Sequence, residues 1–168
     1  MLSRFHDDLL KGSQIKDLIK VLLQKSGYSV FPYGYESTLS EIRNKLAEKD
    51  TKNSRTVRRI RSSPDLLVYD QEKKDLMLVE VKMRSAPRET SIKYLKRIAD
   101  YKEFWNDSIL VVLVPCGDVI YAHKISELEV KQTYNAISDF ERFEDVFTRV
   151  KTEDISHYRE NALKIMEK

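Results

Sequence analysis

The sequence predicts an α/β fold: a mixed central β-sheet flanked by helices. Three stretches predict it. Near the N-terminus, Leu9, Leu10, Ile15, Leu18, Ile19, Leu22 and Leu23 recur at helical spacing. Between Ser62 and Arg84, two short apolar runs flank the charged turn Gln71-Glu-Lys-Lys74, the pattern of a β-hairpin. Further on, six apolar residues from Ile109 to Val114 stop at Pro115, which reads as a strand buried on both faces at the centre of a sheet. Helices and strands that alternate in this way are expected to layer helices over both faces of one sheet.

With 168 residues, the chain is expected to form one domain over 1–168, with a core at about 11–124 and a helical extension at about 125–168. Charged residues are 34% and hydrophobic ones 41%, the balance of a globular protein. The net charge of +3 permits nucleic-acid binding without requiring it, so the distribution of charge matters more. Cys116 is the one cysteine; it rules out an internal disulfide and a cysteine-rich metal site, and it fits a cytoplasmic location. No apolar run is long enough to span a membrane, and no secretory segment is read at the start, so no membrane partner is expected. His6, His123 and His157 share no metal-ligand spacing and are read as structural or surface residues.

In chain order, the first helix is expected over 7–26, with Ser13 as its N-cap because Gly12 weakens the early part, and Gly27 as its stop. Tyr28 to Tyr33 reads as a strand whose Pro32 marks an end or a sheet edge. A helix is expected over 38–49, with Leu39, Ile42 and Leu46 on one stripe. The stretch from Asp50 to Arg61 then reads as a basic loop carrying Lys52, Arg55, Arg58, Arg59 and Arg61. Such charge runs are usually solvated surface. This one leads directly into Pro64-Asp65, so its arginines are read as phosphate contacts on DNA.

In the second hairpin strand Leu76, Leu78, Glu80 and Lys82 share one face and Met77, Val79 and Val81 the other. Both faces begin apolar, so the strand is expected to be buried on both sides. A carboxylate and an ammonium there are costly unless compensated. Asp65 can cross the hairpin towards Glu80, and two carboxylates near one ammonium suit a hard divalent cation with oxygen ligands from Asp65 and Glu80. The competing reading is a core hairpin whose charged ends form an ordinary salt bridge. After it, a helix is expected over 89–106 with Ile92, Leu95, Ile98, Ala99 and Trp105 buried and Lys93, Lys96 and Arg97 on another face. Val119 to Lys124 reads as a further strand. The tail reads as helical, with a stripe of Phe140, Phe143, Val146 and Phe147 and a last helix capped by Thr152. It either completes the core or pairs two copies of the chain as a homodimer.

Pro64-Asp65 followed by Glu80-Val81-Lys82 resembles the motif of the PD-(D/E)XK nuclease superfamily, the restriction-endonuclease-like fold. The resemblance implies Mg2+ (or Mn2+) held by Asp65 and Glu80 with the carbonyl of Val81, and Lys82 orienting the attacking water and offsetting charge at the phosphate. The opening, Lys11-Gly-Ser13, a helix, then Gly27-Tyr-Ser-Val30, is similar to archaeal Holliday-junction resolvases, a branch of that superfamily. Those proteins carry a catalytic Glu in the first helix; an ungapped reading puts Lys16 there, and a small shift puts Gln14 or Asp17 there. Gln14 is carried as a catalytic candidate, and Glu36 and Glu41 as further acidic ones. Some branches also place a Gln and a Tyr four apart on the helix after the hairpin, where this chain has Arg97 and Tyr101. Tyr101 is read as core. The implied function is a metal-dependent DNA endonuclease that hydrolyses phosphodiester bonds, with branched or otherwise structured DNA among its substrates. DNA contacts are expected from Arg55, Arg58, Arg59, Arg61, Lys93 and Arg97. The alternatives are a DNA-binding module on the same fold that does not cut, and a structural domain in which the hairpin charges only pair.

Overall fold

The computed structural model describes residues 2–35, 54–83, 92–113, 120–128 and 140–166. The expected helix at 38–49, Glu36, Glu41, Lys52, Pro115 and Cys116 lie outside the described residues. Helix α1 (Leu2–Lys25) leads to β1 (Ser29–Pro32), α2 (Arg55–Arg61), β2 (Leu66–Asp70) and β3 (Asp75–Met83). Helix α3 (Ile92–Phe104) follows, then β4 (Ile109–Leu113), β5 (Ile120–Lys124), β6 (Glu141–Arg142), the one-turn α4 (Phe143–Val146) and α5 (Thr152–Met166). The strands form one six-stranded sheet in the order β1-β2-β3-β4-β5-β6. The β3–β4 pair is parallel and the others antiparallel, so the sheet is mixed as expected.

Helix α1 buries Ile15, Leu18, Ile19, Leu22 and Leu23 on one face of the sheet, against Val30, Val68, Val79, Val81 and Val111. Its start differs from expectation: Ser13 is not a cap, because the helix runs unbroken through Gly12 from Leu2. Helical propensity at one glycine costs only about 1 kcal/mol, which packing along the rest of the helix offsets. The stop is as expected. Gly27 takes φ 88, and the Gly27 and Tyr28 amides donate back to the carbonyls of Gln24 (3.0 Å) and Leu23 (3.1 Å), the paired bonds of a Schellman ending. Strand β1 carries Pro32 at the sheet edge, where no ladder donor is needed on the outer side.

The hairpin forms as expected, with Leu66 opposite Val79 and Asp70 opposite Asp75. Asp70 closes its turn by accepting the amides of Glu72 (2.9 Å) and Lys73 (3.3 Å). Strand β3 is not buried along its whole length: Leu76 is 61% exposed and only Val79, Glu80 and Val81 are closed in. Past the turn the strand outruns its cover, so its apolar first half faces solvent on one side. Strand β4 is buried at every position, as its apolar run predicts.

Residues 55–61 are a helix, not a loop. Ser54 caps it by accepting the amide of Val57 (3.1 Å), and Val57 is buried. The tail also departs from a helical reading at its start. Glu141 and Arg142 pair with Ala122 and Tyr121 as an edge strand, so Phe140 precedes a strand and Phe143 opens one helical turn. Thr152 is the first residue of α5 rather than its cap. Phe143, Phe147, Val150 and Ile155 enter the same core as α1, so the tail completes that core. His123 stacks on Phe140 at 5.0 Å, a structural contact.

Candidate active site

The site forms where β2 runs out beside β3. The β2–β3 ladder ends at Leu66 opposite Val79, which leaves the Val81 amide without a partner from β2. Asp65 supplies the missing acceptor: its Oδ2 takes the amide of Val81 at 2.9 Å. The Asp65 carbonyl in turn accepts the amides of Tyr33 (2.9 Å) and Gly34 (3.3 Å), so backbone and side chain are both held. A half-buried Asp at the head of a strand is thereby compensated locally.

Glu80 lies on the opposite face of β3 from Val79 and Val81, the side covered by α3. It is 1% exposed. Its neighbours on β4 are Leu110 and, beside Lys82, Val112, and these join Ile98 and Tyr101 in a second apolar cluster. The Lys82 ammonium donates to Glu80 Oε1, and Lys82 also stands over the Tyr101 ring at 5.8 Å. Glu80 Oε2 is buried without a hydrogen-bond partner. Burial pushes the Glu80 carboxyl up to about 7; Lys82 pulls it down, the charge of Asp65 pushes it further up, and the Tyr101 hydroxyl, like Lys82, pulls it down. An orphaned carboxylate oxygen in such a place is rare in folded proteins and marks either a protonated acid or a missing ligand.

Asp65, Glu80 and Lys82 are thus brought together. Lys16 is the group that α1 contributes: its Nζ lies 2.6 Å from Asp65 Oδ1. Gln14 and Asp17 face elsewhere and line a surface groove with Leu18, Val21, Tyr158 and Asn161. Among the described residues no third acidic, histidine or cysteine side chain joins the two carboxylates. At Val81 the contribution visible is its amide. Tyr101 is 4% exposed, core as expected and also at the edge of the site.

The basic stretch is organised more tightly than its composition suggests. Arg58 bonds Asp100 (2.9 Å) and Glu103 (2.7 Å), and Arg55 bonds Glu103 (3.1 Å). Arg59 lies over the Trp105 ring at 5.5 Å, while Trp105 Nε1 donates to Ser62 Oγ (3.2 Å) and to the Arg59 carbonyl (3.3 Å). Trp105 meets Tyr33 edge to face at 6.0 Å, which connects this surface to the backbone partner of Asp65. Asp100 and Glu103 were not singled out from the sequence. Their signal was present: acids three apart on α3 match arginines three apart on α2. Lys93 and Arg97 fall on α3, and their side chains lie outside the described part.

No protein-family model matches the chain, and no curated protein matches it by sequence. Among solved structures, one to which the chain is similar is Hjc, a Holliday junction resolvase from Archaeoglobus fulgidus. The two share 14% identity with a TM-score of 0.49, over 82% of this chain and 99% of that one.

Proposed function

We propose that the chain is a metal-dependent nuclease acting on DNA. The observation that carries this reading is the buried Glu80 with its unpartnered Oε2, next to Asp65 and Lys82. These all-oxygen donors fit a hard cation such as Mg2+ or Mn2+, with Asp65 and Glu80 as the side-chain ligands. The chemistry that such a cation supplies when bound is polarisation of a phosphoryl oxygen and a lowered pKa for water. Lys82 stabilises the negative charge that builds at phosphorus, from a position fixed by Glu80 and Tyr101. Exposed Arg59 and Arg61 stand a few residues before Asp65 and would hold phosphates next to the chemistry. Branched, duplex and single-stranded DNA are all candidates. The test is cleavage of a panel of labelled DNA structures in Mg2+ or Mn2+, with Glu80→Gln as the control that should not cut.

A second reading, a DNA-binding module that does not cut, is favoured by one contact. Lys16 occupies Asp65, and no third acid completes the set among the described residues. A chain that binds the panel with a steep salt dependence and cuts none of it would be this module.

A further inference from the structure

We propose that Lys16 is a displaceable internal counter-cation: its ammonium sits at Asp65 where a divalent cation would bind, and it leaves when the cation arrives. This rests on the metal-site reading above. Both oxygens of Asp65 are engaged, Oδ2 by the Val81 amide and Oδ1 by Lys16 at 2.6 Å, so a cation at either oxygen competes with one of these donors. The amide is fixed in the sheet and cannot leave. Lys16 can. Its neighbours on α1, Ile15 and Ile19, are buried in the core and hold the backbone, while its own side chain is 32% exposed and ends a flexible four-carbon stem. The other ammonium of the site, Lys82, is only 14% exposed and held between Glu80 and Tyr101.

Charge balance points the same way. Once Glu80 is ionised, two ammonium groups face two carboxylates, so the cluster is then neutral without any metal. Adding a doubly charged cation while both lysines stay would leave like charges within a few ångströms of one another, in a partly buried place. Exchange of Lys16 for the cation relieves this. The released ammonium remains tethered at the mouth of the site, where a phosphate is the partner it would find.

The experiment is a manganese titration of the full chain without DNA, followed by the signal of free Mn2+, for the parent, Lys16→Met and Lys16→Glu. Methionine keeps the stem and removes the charge. Lys16→Met is expected to bind Mn2+ on the order of ten- to a hundredfold more tightly than the parent, the range for removing one competing charge from a half-exposed site. Lys16→Glu, which adds a carboxylate, is expected to bind more tightly still. A parallel melting series should show Lys16→Met less stable than the parent in chelator and regaining stability as Mn2+ is added. Equal, measurable affinity in the parent and Lys16→Met would overturn the counter-cation role and leave the metal site standing. Binding in none of the three would overturn both. Should Lys16→Met fail to fold, Lys16→Gln is titrated in its place and read the same way.

Discussion

Asp65 Oδ2 accepts the amide of Val81 at 2.9 Å, so one carboxylate both finishes a strand ladder and faces the candidate metal site. Its removal therefore does two things. Asp65→Ala orphans a buried amide and strips Lys16 of its counter-charge, and it is expected to destabilise the fold by about 1–3 kcal/mol as well as abolish cleavage. Asp65→Asn keeps an acceptor for Val81 and should lose cleavage with a smaller loss of stability. Urea unfolding of the two variants separates these roles: equal and negligible losses would show that the Val81 contact contributes little.

The folded-state carboxyl of Glu80 sits at about 7, above the 4.5 of the same group exposed to water. The folded chain therefore holds a proton that the unfolded chain releases between those values. This contribution to stability is fully present below about pH 4.5 and is lost as pH rises through about 7. The gap corresponds to about 3 kcal/mol as an upper figure. Glu80→Gln keeps the shape without the titration, so its stability should be flatter between pH 5 and 8 and should exceed that of the parent at pH 8. Parallel slopes for the two proteins would place the raised carboxyl elsewhere. Metal binding requires the same proton to leave, so manganese affinity in the parent should rise over this range.

Gly12 lies inside α1, and a methyl group at its Cα would meet no atom within 4 Å beyond its chain neighbours and its own turns of helix backbone. Gly12→Ala is expected to stabilise the protein by about 0.5–1 kcal/mol through backbone entropy alone. A melting temperature unchanged or lowered would mean that α1 is not helical at this point in solution.

The arginines of α2 divide into two kinds. Arg58 is tied to Asp100 and Glu103, which hold its guanidinium more firmly protonated than usual, and it cross-links α2 to α3. Arg59 and Arg61 are exposed. Arg59→Ala and Arg61→Ala should each flatten the slope of log binding constant against log salt by about 0.9 for duplex DNA. Arg58→Ala should loosen the α2–α3 contact, lowering the melting temperature, and change that slope less. The reverse order of slopes would place the phosphate contact on Arg58.

Much of this was legible in the sequence because local patterns and burial agree there. Ile109 to Leu113 reads as a central strand and is one, and the alternation through Glu80 and Lys82 assigned their faces correctly. Gly27 marked its helix end because no other residue takes φ 88 as cheaply. What failed depended on partners distant in the chain. The stretch around Arg55 reads as a phosphate-binding loop until Asp100 and Glu103 are placed opposite it, and Glu141-Arg142 becomes a strand only because β5 offers an edge. Leu76 is exposed because β3 extends beyond its cover, a length that periodicity does not encode. At the site, the convergence of Asp65 on β3 followed from the hairpin. The pairing of Asp65 with Lys16 did not, since a motif names residue types and not the residue that α1 turns inward.

The most direct test of the nuclease reading is single-turnover cleavage of labelled DNA in Mn2+, enzyme in excess, by the parent and Lys82→Ala, with binding titrated separately in Ca2+. The parent should cut at least one structure in the panel. Lys82→Ala should bind with nearly the same affinity and cut more slowly by on the order of a hundred- to a thousandfold, the usual cost of one charge-stabilising group. Cleavage by Lys82→Ala at the parental rate, or no cleavage of any structure by the parent, would contradict the account at its centre.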